Sequence, residues 1–212
     1  MFKYIKLISL FIFTIFLAGC SEIRFETDIL VSELKNSKEL KKSATIFIEV
    51  DSCENRHDAY KDSGTIRAVK KMMDDIFIDS KFSHCEDIKF TSMAAFNIPI
   101  YINDGYMGNT FIKINSDENG FLSIFVPQAI SNNVESMVNS SFDPKSQNIS
   151  FNISLINDTT ETITVTSLAS FINEEPSILQ QLELPERNTT SISLSNVSLS
   201  DIIKNEKSVI LK

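Results

Sequence analysis

The residues best equipped for chemistry in this 212-residue chain are its three cysteines and two histidines. Cys53 and His57 stand close together, and His84 and Cys85 are adjacent. As a set they are the donors of a Cys₂His₂ zinc site, and Cys-x₃-His is a spacing that such sites tolerate. The adjacency works against it, because neighbouring side chains on a strand point to opposite faces. An even pair of cysteines in an oxidising compartment points instead to a disulfide between Cys53 and Cys85. Closing a loop of this length stabilises a fold by roughly 3 to 4 kcal/mol in the chain-entropy view. The disulfide is the favoured reading, with the metal site and free thiols as alternatives, and no cofactor is expected.

Nucleophilic catalysis finds little support. A hydrolase needs a nucleophile beside a base, and the sequence has no Gly-x-Ser-x-Gly, no Ser-x-x-Lys with partner motifs and no His-Glu-x-x-His. The acidic doublets Asp74-Asp75 and Glu174-Glu175 read as solvated surface rather than as a glycosidase pair. With no Trp and only five Gly, sugar-stacking platforms and phosphate-cradling loops are also unsupported. No catalytic residue is assigned.

The third cysteine has a different context. Lys3 and Lys6 precede an apolar run from Leu7 to Leu17, and Leu17-Ala18-Gly19-Cys20 closes it, the n-region, h-region and small-residue pattern of a secretory signal peptide. The apolar core is too short to span a bilayer, which takes roughly 20 residues. The last four residues resemble the lipobox of bacterial lipoproteins, in which the cysteine thiol is diacylated, the peptide before it is cut off and the new amino terminus is acylated. On this reading residues 1–19 are a signal peptide and Cys20 is the lipidation site. A secreted protein cut by the ordinary signal peptidase is the competing reading. Ser21 stands where an inner-membrane retention Asp would otherwise stand, so the periplasmic face of the outer membrane is the expected address.

Charge narrows the partners. The formal net charge is -8, and Lys3 and Lys6 leave with the leader, so the remaining chain is more acidic still. Such a balance argues against nucleic acid and against electrostatic adhesion to anionic lipid, which leaves the covalent anchor to hold the membrane. Each buried CH₂ of an acyl chain adds about 0.8 kcal/mol, so several chains anchor firmly. A hydrophobic fraction of 42% is ordinary for a globular chain with a sizeable core.

The elements that position these residues follow from periodicity. Ile23 to Ile29 alternates and reads as a strand almost touching Cys20, where a long flexible linker would otherwise stand. Ser32 to Lys42 reads as a short helix or loop, and Ala44 to Val50 as an interior strand. Asp51 to Lys61 is turn-like. A helix capped by Asp62 or Ser63 should run to about Asp79, with Ile66, Val69, Met73, Ile76 and Phe77 on one face. Ile88 to Phe90 and Ala95 to Asn103 are expected strands, and Pro99 marks the second as an edge strand or a bulge. Thr110 to Asn115 and Phe121 to Val126 form an expected hairpin across Asn119-Gly120. Pro127 opens a helix bearing Ile130, Val134, Met137 and Val138.

The polar stretch from Asn139 to Asn148 is the best candidate boundary. Beyond it, Ile149 to Leu155 and Ile163 to Thr166 alternate and are expected to pair as a hairpin. Glu174-Glu175-Pro176 should break the chain before a strand at Leu179 to Leu184. Ser191 to Leu199 continues in β character with a bulge at Ser195-Asn196, and Lys207 to Leu211 closes the sheet. The expected fold is α+β: an N-terminal mixed sheet covered by one or two helices over residues 20–140, then a β-rich, sandwich-like C-terminal module over residues 145–212. Asn-x-Ser/Thr triplets at Asn139, Asn148, Asn152, Asn157, Asn188 and Asn196 would be glycan acceptors only in a eukaryotic secreted protein.

The arrangement resembles small uncharacterised bacterial lipoproteins, some found near prophage or other mobile-element genes. The likeness rests on the lipobox, the early strand Arg24 to Ile29, a cysteine after the Ile46 to Val50 strand and a second after the helix. Leu182-Glu183-Leu184-Pro185 and Leu194-Ser195-Asn196-Val197 extend it to the tail. That family brings no activity with it. The expected function is a non-enzymatic, lipid-anchored envelope protein that binds a protein partner at the membrane surface, with phage or conjugation exclusion as a specific form. The alternative is a periplasmic small-ligand carrier or envelope enzyme with a site between the two modules.

Overall fold

The computed structural model describes residues 22–35, 38–55, 58–88, 91–103, 110–116, 122–133, 148–194 and 207–211. The fold is α+β but mostly β. In chain order its elements are β1 (Glu22–Leu30), α1 (Val31–Lys35), β2 (Leu40–Val50), β3 (Glu54–Asn55), β4 (Asp58–Asp62), α2 (Gly64–Ile76), β5 (Lys81–Ile88) and β6 (Thr91–Ile102). There follow β7 (Ile112–Ser116), β8 (Leu122–Phe125), β9 (Asn148–Ile156), β10 (Ile163–Ile172), β11 (Glu175–Leu184), β12 (Thr189–Leu194) and β13 (Lys207–Leu211). Residues 128–133 add helical turns after Pro127, with Ile130 buried.

Eleven strands join in one sheet, ordered β11-β10-β12-β9-β1-β2-β6-β7-β8-β13, with β5 on β6, and β3–β4 form a separate two-stranded hairpin. β1 is the pivot. It pairs antiparallel with β2 from Ile23↔Ile48 to Glu26↔Thr45. On its other edge it pairs parallel with β9 from Glu22↔Asn148 to Leu30↔Ile156. The sheet therefore runs across the polar stretch at residues 139–148, with strands from before and after it as direct neighbours. β10 carries β11 along one edge and, along the other, β12 at Ser170–Ile172 and β13 at Ser167. Because β13 also pairs with β8, the run of pairings returns on itself.

Alternation decides which side chains meet inside. Phe25, Ile29, Ile46, Ile48, Phe96, Ile98, Ile100, Ile102, Ile153 and Leu155 are all buried and belong to one core. Phe25 and Phe151, register partners across the parallel pair, stack with ring centroids 3.8 Å apart. The helix α2 begins as its sequence dictates: Ser63 Oγ accepts a hydrogen bond from Ile66 N at 3.1 Å, satisfying one of the amides that a first turn leaves open. Ile66 and Met73 bury against the sheet, and Phe77 follows them after the helix ends at Ile76.

Four expectations change. Pro99 lies neither on an edge strand nor at a bulge: β6 is a central strand paired with β2 from Leu40↔Ile102 to Val50↔Ser92. On its other edge, β5 covers β6 only as far as Asn97, and β7 begins at Ile100. Pro99, with no N–H to offer, fills the interval between them. The edge proline is instead Pro176 on β11, where Glu175 starts a strand rather than ending one. Finally, β9 and β10 do not pair as a hairpin; β12 stands between them. Alternation identifies a strand and its faces but carries no information about its neighbour. The strand expected at Ile88 to Phe90 lies earlier, over Lys81–Ile88.

Candidate functional site

Cys20 lies outside the described residues, as do His57, Val134, Met137, Val138 and the expected bulge at Ser195-Asn196. What the structure does describe is the strand that follows Cys20. The chain from Cys20 to Glu22 spans at most about 7 Å. Glu22 N donates to Glu49 Oε2 at 2.9 Å, which fixes the start of β1 to the end of β2.

Cys53 and Cys85 are brought together. Their Cα atoms are 5.6 Å apart and the sulfurs are bonded. Cys85 pairs with Ala94, Ala94 with Ile48 and Ile48 with Ile23, so a single row of residues crosses β5, β6, β2 and β1. The disulfide thus stands about 14 Å from the start of β1, three strand spacings away. It ties the base of an excursion made of the β3–β4 hairpin and α2, and Ser63 N donates to Cys53 O at 3.2 Å within that base. With their sulfurs bonded to each other, neither cysteine offers a thiolate to a metal ion. His84 is exposed on β5, its Nδ1 3.1 Å from Ser83 Oγ. No group of three His, Cys, Asp or Glu side chains with metal-binding geometry occurs among the described residues.

A second excursion, from β9 out to the β10–β11 hairpin and back to β12, is closed by one side chain. Asn157 is fully buried. Its Nδ2 donates to Glu161 O, Leu184 O and Pro185 O at 2.8, 2.9 and 3.1 Å. Its Oδ1 accepts from Thr159 N and Thr159 Oγ1 at 3.1 and 2.6 Å. Its main chain joins the same closure, donating to Asn188 O and accepting from Arg187 N. Burial removes Asn157 from the reach of a glycosyl transfer. Next to it, Asp158 accepts from both Ser32 N and Ser32 Oγ, binding the loop to α1. The Ser32 hydroxyl and then its amide hold the Asp158 carboxyl below its ordinary value.

The hairpin so closed ends in Asn173 and Glu174, both at positive φ, the backbone of a type I′ turn. Its outer strand, β11, is the end of the sheet order, and no strand pairs with its other edge among the described residues. Leu179, at the middle of that edge strand, is 69% exposed, the largest value among the described large apolar side chains. Glu175 and Pro176 at one end and Glu183 at the other are features that discourage indiscriminate strand pairing. A strand of ten residues with one edge that no described strand covers is suited to take up an extended segment of another chain.

Sequence reasoning located the disulfide and missed both the Asn157 closure and the β11 edge. An Asn in Asn157-Asp158-Thr159-Thr160 carries the same signal as any loop asparagine. A family model described as a domain of unknown function (DUF7424) matches residues 23–212, so the chain belongs to that family. Neither the curated proteins nor the solved structures contain a match.

Proposed function

We propose that this member of the DUF7424 family is a non-enzymatic, lipid-anchored protein of the bacterial cell envelope that binds a protein partner by strand addition at β11. The observation that carries this reading is the outer edge of β11, with which no strand pairs among the described residues, and Leu179 exposed at its centre. In this reading Cys20 is the acylated residue, residues 1–19 are removed, and the periplasmic face of the outer membrane is the address. The segment over residues 145–212 serves as the sandwich-like docking module. The 20–140 segment, a mixed sheet with its helices, carries the anchor. The proximity of Cys20 to β1 holds the domain against the membrane and favours a partner at that surface. Interference with phage or conjugative entry is a specific form of the same role.

Two measurements test it. Metabolic labelling with an alkyne fatty acid should mark the wild-type chain and leave Cys20→Ala unlabelled. A photocrosslinking side chain at Leu179 in cells should trap one defined protein, whereas one at exposed Ile78 should trap none. Absence of label, or equal crosslinking from both positions, would count against the reading. For the exclusion role, deletion of the gene should raise phage sensitivity or mating frequency.

A further inference from the structure

Where β6 is left uncovered at Pro99, the structure has an open cleft of about 390 Å³. Lys41, Lys42 and Lys81 line it with Ser43, Asn97 and Asp79, and Ile98 and Pro99 complete the wall. The register explains the convergence. Ser43 is the partner of Pro99, and Asn97 is the partner of both Thr45 and Lys81. Lys41, Ser43, Asn97 and Pro99 therefore follow the period of one face, with Lys81 entering from the neighbouring strand. The ammonium groups of Lys41 and Lys81 against the one lining carboxylate of Asp79 make a cationic spot on an acidic chain, the charge of Lys42 being matched by Glu33.

Screening lets that local sign prevail. At physiological ionic strength the Debye length is about 8 Å, so the distant acidic surface weakens the attraction little. Lys42 is engaged, its Nζ 2.7 and 2.9 Å from the Glu33 carboxylate. Lys41 is held loosely by Asp79 at 3.6 Å with both side chains more than half exposed, a pair that is cheaply exchanged for another anion. Lys81 makes no ion pair among the described residues. Ser43 and Asn97 add neutral donors. Lysines without an arginine fork favour a rounded, multiply charged oxyanion over a planar carboxylate.

We infer that this cleft binds a compact phosphate-bearing anion, with Lys41 and Lys81 supplying the charge and Ser43 and Asn97 donating hydrogen bonds. The site is separate from the β11 edge and does not depend on the function proposed for it. Its phosphate could be that of a free solute or of a lipid headgroup, and the experiment separates these sources.

The full-length chain in neutral detergent is titrated with inorganic pyrophosphate by calorimetry, and in nanodiscs of phosphatidylcholine with or without phosphatidic acid. Saturable binding of pyrophosphate that weakens as salt is raised is the expected result. The K41Q/K81Q variant should lower affinity by roughly tenfold or more without lowering Tm. If the double variant does not fold, K81Q alone carries the test, since no ion pair is lost with it. A lysine-dependent response to phosphatidic acid alone would assign the same chemistry to a headgroup. No binding of either probe, or binding indifferent to both variants, overturns the inference.

Discussion

Two excursions leave the sheet and return to it, and they are closed by opposite means. The first, from Cys53 to Cys85, carries the β3–β4 hairpin and α2 and is shut by a covalent bond. The second, from Asn157 to Asn188, carries the β10–β11 hairpin and is shut by hydrogen bonds that converge on one buried amide. A disulfide acts chiefly by restricting the unfolded chain and tolerates change in what surrounds it. A buried amide acts only in the folded state, and it leaves carbonyls stranded when removed. The two excursions are of similar length, so the contrast isolates the kind of closure.

Asn157→Leu should therefore be the more damaging change. It leaves the buried Leu184 carbonyl and the part-buried Glu161 and Pro185 carbonyls without their donor, at a cost of about 4 kcal/mol. Urea unfolding of the full chain reads the loss as a lower midpoint. A smaller effect than that of the cysteine pair would show that the loop finds water or another donor. Cys53→Ala with Cys85→Ala should lower stability by about 3 to 4 kcal/mol. Hydrogen exchange should then show faster opening of α2 than of β9 and β12. Uniform loss of protection would break the comparison by showing one cooperative unit.

The smallest effect is expected at Asp158. Its folded-state carboxyl is held below the ordinary value by the Ser32 hydroxyl and amide. Such a group contributes stability that is fully present above the unfolded value of about 4 and is lost as pH falls through the lower folded value. Because Asp158 is exposed, the contribution is screened and stays under about 1 kcal/mol. Melting temperatures from pH 6 down to pH 3 should fall less steeply for Asp158→Asn than for the unmodified chain. Identical slopes would remove Ser32–Asp158 from the closure of the second excursion.

The legibility of the two closures also differs. Cys53 and Cys85 announce themselves, because cysteine is rare in this chain and a pair flanking one helix has few structural uses besides a disulfide. The strands expected at Ala44 to Val50 and Ala95 to Asn103 were readable from alternation, and a cap at Asp62 or Ser63, of which the helix uses Ser63, from a polar side chain placed before a periodic run. Asn157 was not readable, since its role comes from Leu184 and Pro185, which approach it only once β10 and β11 have formed. Pro99 misled for a related reason. The rule that proline avoids central strands assumes a neighbour on each side, and β6 has an interval where that neighbour is missing. The cleft follows from the same interval and was equally invisible.

The position of β1 sets the order in which the molecule can be assembled. It is among the first segments made, yet one of its two neighbours is β9, which begins at Asn148, and the ring of pairings waits for β13 at Lys207–Leu211. Contacts between such distant parts of the chain must overcome a large loop-closure entropy before any stabilisation is gained. Folding should thus be slow and should complete only late, with an open edge on β1 exposed until the last third of the chain arrives. Under the export reading proposed above, this delay suits a polypeptide that crosses a membrane before it folds.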